Sequence, residues 1–192
     1  MDVSPEGSVP PGTLDPRSPP PRQERAVALG EAARAVFLAR YGHVFEHSRW
    51  VAEAAAVGAP FDGPDAVHRA MCAALRAAPR ARQLELLRAH PDLWGPEARA
   101  RAMTVDSEFE QRSAGLDRLS AEEAARIDAL NATHRQRFGF PFIIAVLHHT
   151  RASIFAEFER RLALDPEAAV EACLAEVEKI TRLRIARIEQ DR

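Results

Sequence analysis

The segment DPEAAVEACLAEVEKITRLRIARIE, residues 165–189, reads as one long helix. Asp165 supplies an N-cap and Pro166 suits the first turn, where its missing N–H is no loss. Val170, Leu174, Val177 and Ile180 then recur at spacings of three and four, a period that strands do not have. The same period extends backward through most of the chain. Ser120-Ala-Glu-Glu123 has the form of a capping box, opening a helix through Leu130 and beyond. Asp62 and Pro64 open another that carries Val67, Met71 and Leu75. Ser48 is placed to cap a short helix to Val57, and a helix over Arg80–Ala89 stops at His90-Pro91. Residues 25–41 give a stripe of Val27, Val36, Phe37 and Tyr41, ending near Gly42. The expected fold is therefore all-α, a single-domain bundle of eight or nine helices.

One stretch breaks this rhythm. In RFGFPFIIAV, residues 137–146, Phe138, Phe140 and Phe142 alternate with Gly139 and Pro141. A period of two with a proline inside is not helical. Two readings stand: a buried connector that plugs the core with aromatics, or an extended backbone whose N–H and C=O groups face a ligand.

The composition narrows the function classes. A chain of 192 residues supports one sizeable core. Net charge is −2, and the 26 basic residues, all arginine except Lys179, are interleaved with acids. That pattern describes solvated helix faces and gives no footprint for nucleic acid. No apolar run reaches the roughly 18 residues of a membrane span, and no signal-peptide core is present. Cys72 and Cys173 lie in apolar helical patterns without metal spacing, as reduced buried thiols do. The chain closes on Glu189-Gln190-Asp191-Arg192, which is not a peroxisomal tripeptide. A cytoplasmic protein is expected. Residues 1–24 form a proline-rich tail, holding Pro5, Pro10, Pro11, Pro16, Pro19, Pro20 and Pro21 of the 14 prolines, with too little apolar bulk to offset ordering entropy. The globular domain is assigned to residues 25–192.

Polar chemistry concentrates in two places. In LLRAHPDLWGPEA, residues 86–98, an imidazole stands at a helix end, where it either suits the helix dipole or carries chemistry. In VDSEFEQRSAG, residues 105–115, Ser107, Glu110 and Gln111 stand at i, i+3 and i+4 and share one helix face. Ser107-x-x-Glu110 is also a capping-box pattern, in which Glu110 would serve only backbone. His43 and His47 are four apart, but no carboxylate partner supports a metal, and none is expected. No phosphate-binding glycine loop or nucleophile elbow occurs.

Taken in order, HPDLWG, SEFEQRSAGL, LNATHRQRFGFPFIIAV and EVEKITRLRI, with VFEHSRWVAEAA upstream, resemble the 2-oxo-4-hydroxy-4-carboxy-5-ureidoimidazoline (OHCU) decarboxylases of urate degradation. The likeness runs from near Leu29 to Ile188, about five-sixths of the chain. It implies an all-helical, cofactor-free homodimer that converts a small ureidoimidazoline substrate to (S)-allantoin, without nucleic acid or membrane partners. It places the catalytic pair on His90 and Glu110. Substrate contacts fall on Pro91, Ser107, Gln111, the main chain of Phe142, Ile143, Ile144, Ala145 and Val146, and Arg184. Three residues depart from the family's pattern: Trp94, where a small residue is usual; Leu147, where a basic one is frequent; and Asp106, in place of a common Glu.

On this reading His90 is a proton donor, its charged form favoured by the helix end and by Glu110. Arg184 is expected to hold substrate oxygens with its fork. Other readings are a non-catalytic helical module docking through the proline-rich tail, or a lyase or hydrolase on a related ureide.

Overall fold

The computed structural model describes residues 22–95, 98, 100 and 103–190, with side chains from residue 30 onward. Residues 1–21 of the expected tail and the side chain of Val27 lie outside these residues. Among the described residues there are eight α-helices and no strand: α1 (Arg22–Tyr41), α2 (Arg49–Ala55), α3 (Pro64–Ala77), α4 (Arg80–Arg88), α5 (Val105–Ser113), α6 (Ala121–Phe138), α7 (Arg151–Leu162) and α8 (Pro166–Gln190). Single 3₁₀ turns follow at Ala56–Gly58, Leu116–Arg118 and Val146–His148. None of the described helices is long and apolar enough to cross a membrane.

The local signals act largely as their chemistry requires. Asp165 Oδ1 accepts from the Ala168 N–H at 2.9 Å, opening α8. Ser120 and Glu123 close a reciprocal capping box on α6. Three details differ from expectation. Gly63, at φ 81°, takes the N-cap of α3 instead of Asp62, because Pro64 occupies the first helical position. Ser48 sits at the N-cap of α2 without a side-chain bond to it. Val36 is 68% exposed, since Phe37 and Tyr41, four apart, turn inward and leave it on the outer side of α1.

Two apolar cores form. The first gathers Phe37 and Tyr41 of α1 with α2, α3, α4 and the buried stripe of α8. The second joins Leu93, Leu116 and Ile127 to Ile154, Phe155 and Phe158 of α7. Helix α6 ends at Phe138, with Gly139 in the left-handed region at φ 78°, a conformation that suits glycine. The chain beyond is extended and runs between the two cores. Phe140, Ile143 and Ala145 enter the first core, while Phe142, Ile144 and Val146 enter the second. Phe142 stacks on Phe158 at 3.8 Å between ring centroids. The connector is thus a shared wall of both cores.

Candidate active site

The turn after α4 and the connector meet α5 around one cleft of about 330 Å³, lined by His90, Pro91, Ser107, Glu110, Gln111, Phe142, Ile143, Ile144 and Val146, with Leu93 and Ile180. Nine of the eleven site residues named from the sequence therefore share a single wall. The other two stand behind it. Ala145 turns its side chain into the first core and gives its N–H to Glu176 Oε2 at 2.8 Å. Arg184, deep in α8, reaches Glu110 from below.

The turn carrying His90 is held from three sides. Arg135 on α6 meets both oxygens of Asp92 at 2.9 Å. One turn earlier, Asn131 donates to the Leu93 carbonyl at 2.8 Å. From α5, Gln111 accepts the Trp94 N–H at 3.0 Å, and its amide nitrogen lies 3.2 Å from Met103 Sδ. The Gln111 side chain is thereby bound to protein as well as facing the cleft. Trp94 adopts φ 53°, unusual for a bulky residue, and a Cβ at Gly95 would lie 2.7 Å from Asp92 Cβ, so the turn admits only glycine there. Nothing in the structure explains why tryptophan rather than a small residue stands at 94. Leu147 is 38% exposed, beside the cleft wall at Val146, and Asp106 pairs with Arg187.

The capping-box alternative for Ser107 and Glu110 does not form. Thr104 is the N-cap of α5 and accepts from the Ser107 N–H at 3.4 Å. The helix starts three residues earlier than that box requires, which leaves both side chains on the buried face. There Arg184 Nε and Nη2 donate to Glu110 Oε1 and Oε2 at 2.7 and 2.8 Å, a bidentate pair. Nη1 reaches the Val44 carbonyl at 3.2 Å. Nη2 also lies 3.1 Å from both Ser107 Oγ and Glu46 Oε2. The fork of Arg184 is thus closed on the protein's own carboxylates.

His90 differs from its expected charge state. It is only 8% exposed, and its Nδ1 is buried without a hydrogen-bond partner. Burial, followed by the positive charge of Arg184 and His47, outweighs Glu46 and brings the imidazole down to about 4. Desolvation wins over the helix end, and Glu110 is occupied by Arg184. His90 is neutral at physiological pH. His43 and His47 are both exposed in the non-helical turn before α2, so they do not share a helix face.

Several contributors carried no distinct signal in the sequence. Glu46 is buried and accepts from Thr104 Oγ1 at 2.6 Å and from Ser107 Oγ. Arg161 donates to the Ile143 carbonyl at 2.8 Å and pairs with Glu176, fixing the connector from behind. Arg161 looks in sequence like its exposed neighbour Arg160. Glu46 was signalled only by its place between buried Val44, Phe45 and Ser48 in a stretch with no helical period.

The family model described as OHCU decarboxylase matches residues 21–186. The chain belongs to the OHCU decarboxylase family. It is 43% identical over 150 residues to 2-oxo-4-hydroxy-4-carboxy-5-ureidoimidazoline decarboxylase of Haloferax volcanii, covering 78% of this chain and 87% of that one. The Mus musculus protein of the same name is 37% identical, covering 78% and 84%. A crystal structure of (S)-allantoin synthase superposes with a TM-score of 0.64 at 27% identity, over 84% of this chain. The match spans about half, 53%, of that longer chain.

Proposed function

We propose that this chain decarboxylates OHCU to (S)-allantoin in urate degradation, as a cytoplasmic homodimer, with the cleft at His90 as its active site. One observation carries the reading: a neutral, buried imidazole with an unpartnered nitrogen lines the same cleft as Glu110, in a chain of this family.

The substrate's structure defines what the site must do. C4 bears a hydroxyl and a carboxylate, and C5 bears the ureido group and a double bond to N1. When the C4–carboxylate bond breaks and CO₂ leaves, its electron pair forms C4=C5. The C5=N1 pair moves to N1, which takes up a proton. The substrate is thus its own electron sink, and no cofactor is required for this step. The 4-hydroxyl then releases its proton as C4=O forms, and C5 receives one on a single face. The net change exchanges CO₂ for one proton.

A neutral imidazole suits the last two transfers, since it has one lone pair to accept and one N–H to give. An imidazolium would serve only as donor. His90 is assigned this exchange, and Glu110 the orientation of the ring or ureido N–H groups. Ser107 and Gln111 line the same wall, with Pro91 fixing the approach of His90. Among the described residues, the main-chain N–H and C=O of Phe142 and Ile144 make no hydrogen bond within the chain. These groups are assigned to the substrate's amides. Arg184 acts through Glu110, setting its orientation and countering its charge.

The test is circular dichroism of freshly oxidised urate with and without the protein, which follows optically active allantoin. Wild type is expected to accelerate its appearance, and His90→Ala to lose about 100-fold or more of that rate, the usual scale for general acid–base catalysis. Wild-type rate in His90→Ala overturns the assignment.

A further inference from the structure

Arg184 lies between two carboxylates that are not equivalent. The outer one, Glu110, lines the cleft. The inner one, Glu46, has a side chain only 1% exposed and is not on the cleft wall. It accepts from Thr104 Oγ1, Ser107 Oγ and Arg184 Nη2. We propose that Glu46 is a positioning residue for the reaction, holding Arg184 and Ser107 from behind so that Glu110 and an acceptor face of Ser107 meet the substrate. The proposal rests on the decarboxylase reading above.

The hydrogen-bond count of Ser107 makes the argument specific. A hydroxyl has one donor and two acceptor sites. The donor goes to Glu46, and one acceptor site takes Arg184 Nη2 at 3.1 Å. The remaining lone pair can only accept, so Ser107 recognises a substrate N–H and not a carbonyl. Glu46 sets that polarity because an ionised carboxylate cannot donate. Its ionisation is secured by its surroundings: burial raises its pKa, but the charge of Arg184 and the hydrogen bonds of Ser107 and Thr104 leave it lowered. With Arg184 anchored by Glu46 and by the Val44 carbonyl, Glu110 can shift toward substrate without leaving the guanidinium uncompensated in the interior.

Glu46→Gln tests this. The amide can donate to Ser107 and reverse its hydroxyl, while keeping the volume. The expected result is a kcat lower by about tenfold or more with KM changed less than about threefold, as for an interaction realised mainly in the transition state. A second measurement does not depend on the reaction. The charged and titratable groups around His90 are Arg184 of α8, Glu46 and His47 of the turn before α2, and Glu110 of α5. Removing the negative charge of Glu46 should lower the His90 titration midpoint, read from its imidazole proton resonances in substrate-free protein. Unchanged kcat with an unchanged midpoint overturns the proposal. If wild type does not turn over OHCU, the decarboxylase reading fails, while the His90 midpoint in Glu46→Gln still reports on Glu46. Should Glu46→Gln not fold, Thr104→Val removes one bond to Glu46, together with the α5 cap bond from the Ser107 N–H, and leaves both charges. A partial loss of kcat at unchanged KM supports the positioning role, and wild-type kcat in folded Thr104→Val refutes it.

Discussion

At the scale of single residues, His90 was legible in position and misjudged in charge. A histidine before proline at a helix end is visible in one dimension; the depth of its burial is not. Helix-end electrostatics is worth about 0.3–1 kcal/mol when exposed, and it cannot offset the desolvation of an imidazolium beside Arg184. The same reasoning gives a pH prediction. Because kcat/KM reports the free enzyme, and the free His90 is depressed to about 4, the acid limb of kcat/KM should lie below pH 6. No inflection is expected near 6.5, the value of an ordinary histidine. A pH–rate profile in the stopped CD assay checks this. A rate that halves as pH drops through 6.5 would show that His90 titrates as an exposed imidazole, and a rate that halves as pH rises through 6.5 would show that its charged form is the active one.

Among the elements, what could be read depended on whether a signal was local. Ser120 and Glu123 stand three residues apart, and their capping box formed as the pattern required. The alternation of Phe138, Phe140 and Phe142 marked the connector: the side chains of Phe140 and Phe142 fill the two cores, and Phe142 and Ile144 also line the cleft. Bonds that join distant elements had no such signal. Asn131 reaches a carbonyl 38 residues away, and Glu46 a hydroxyl 61 residues away. Helix α6 allows the two kinds of interaction to be separated. Ser120→Ala should cost about 1 kcal/mol through loss of the cap, with kcat unchanged. Asn131→Ala leaves the Leu93 carbonyl without its partner and should cost about 1–3 kcal/mol. It should also lower kcat, because the His90 turn loses one of its holds. Urea unfolding and the allantoin assay measure both variants; equal kcat in the two would mean that α6 supports the fold and not the site.

For the whole molecule, the two buried histidines share a direction. His90 and His134 are held below the usual histidine value, in each case by burial first. Folding therefore favours the neutral ring. As pH falls below about 6.5 the unfolded chain takes up protons that the folded chain refuses, and stability declines until the folded values are passed. Glu46 and Glu176 are lowered by their cationic and hydrogen-bonding partners despite burial, and Glu157 is held at about 2 by its bonds to Arg160 and Arg161. Their contribution is present above the ordinary carboxylate value of 4.5 and is lost as pH drops through the folded values. On the alkaline side, burial raises Tyr41 and Cys72 to about 12. What these two groups contribute is complete below 9 to 10 and disappears above it. Thermal unfolding followed by far-ultraviolet circular dichroism should accordingly give a Tm that is level between about pH 7 and 8.5 and falls continuously below pH 6.5. The decline should begin with the histidines, before any carboxylate titrates. In His90→Ala the part of the slope between pH 6.5 and 4 should shrink while the part below 4 persists, and an unchanged slope across the upper window would place the acid sensitivity outside the active site.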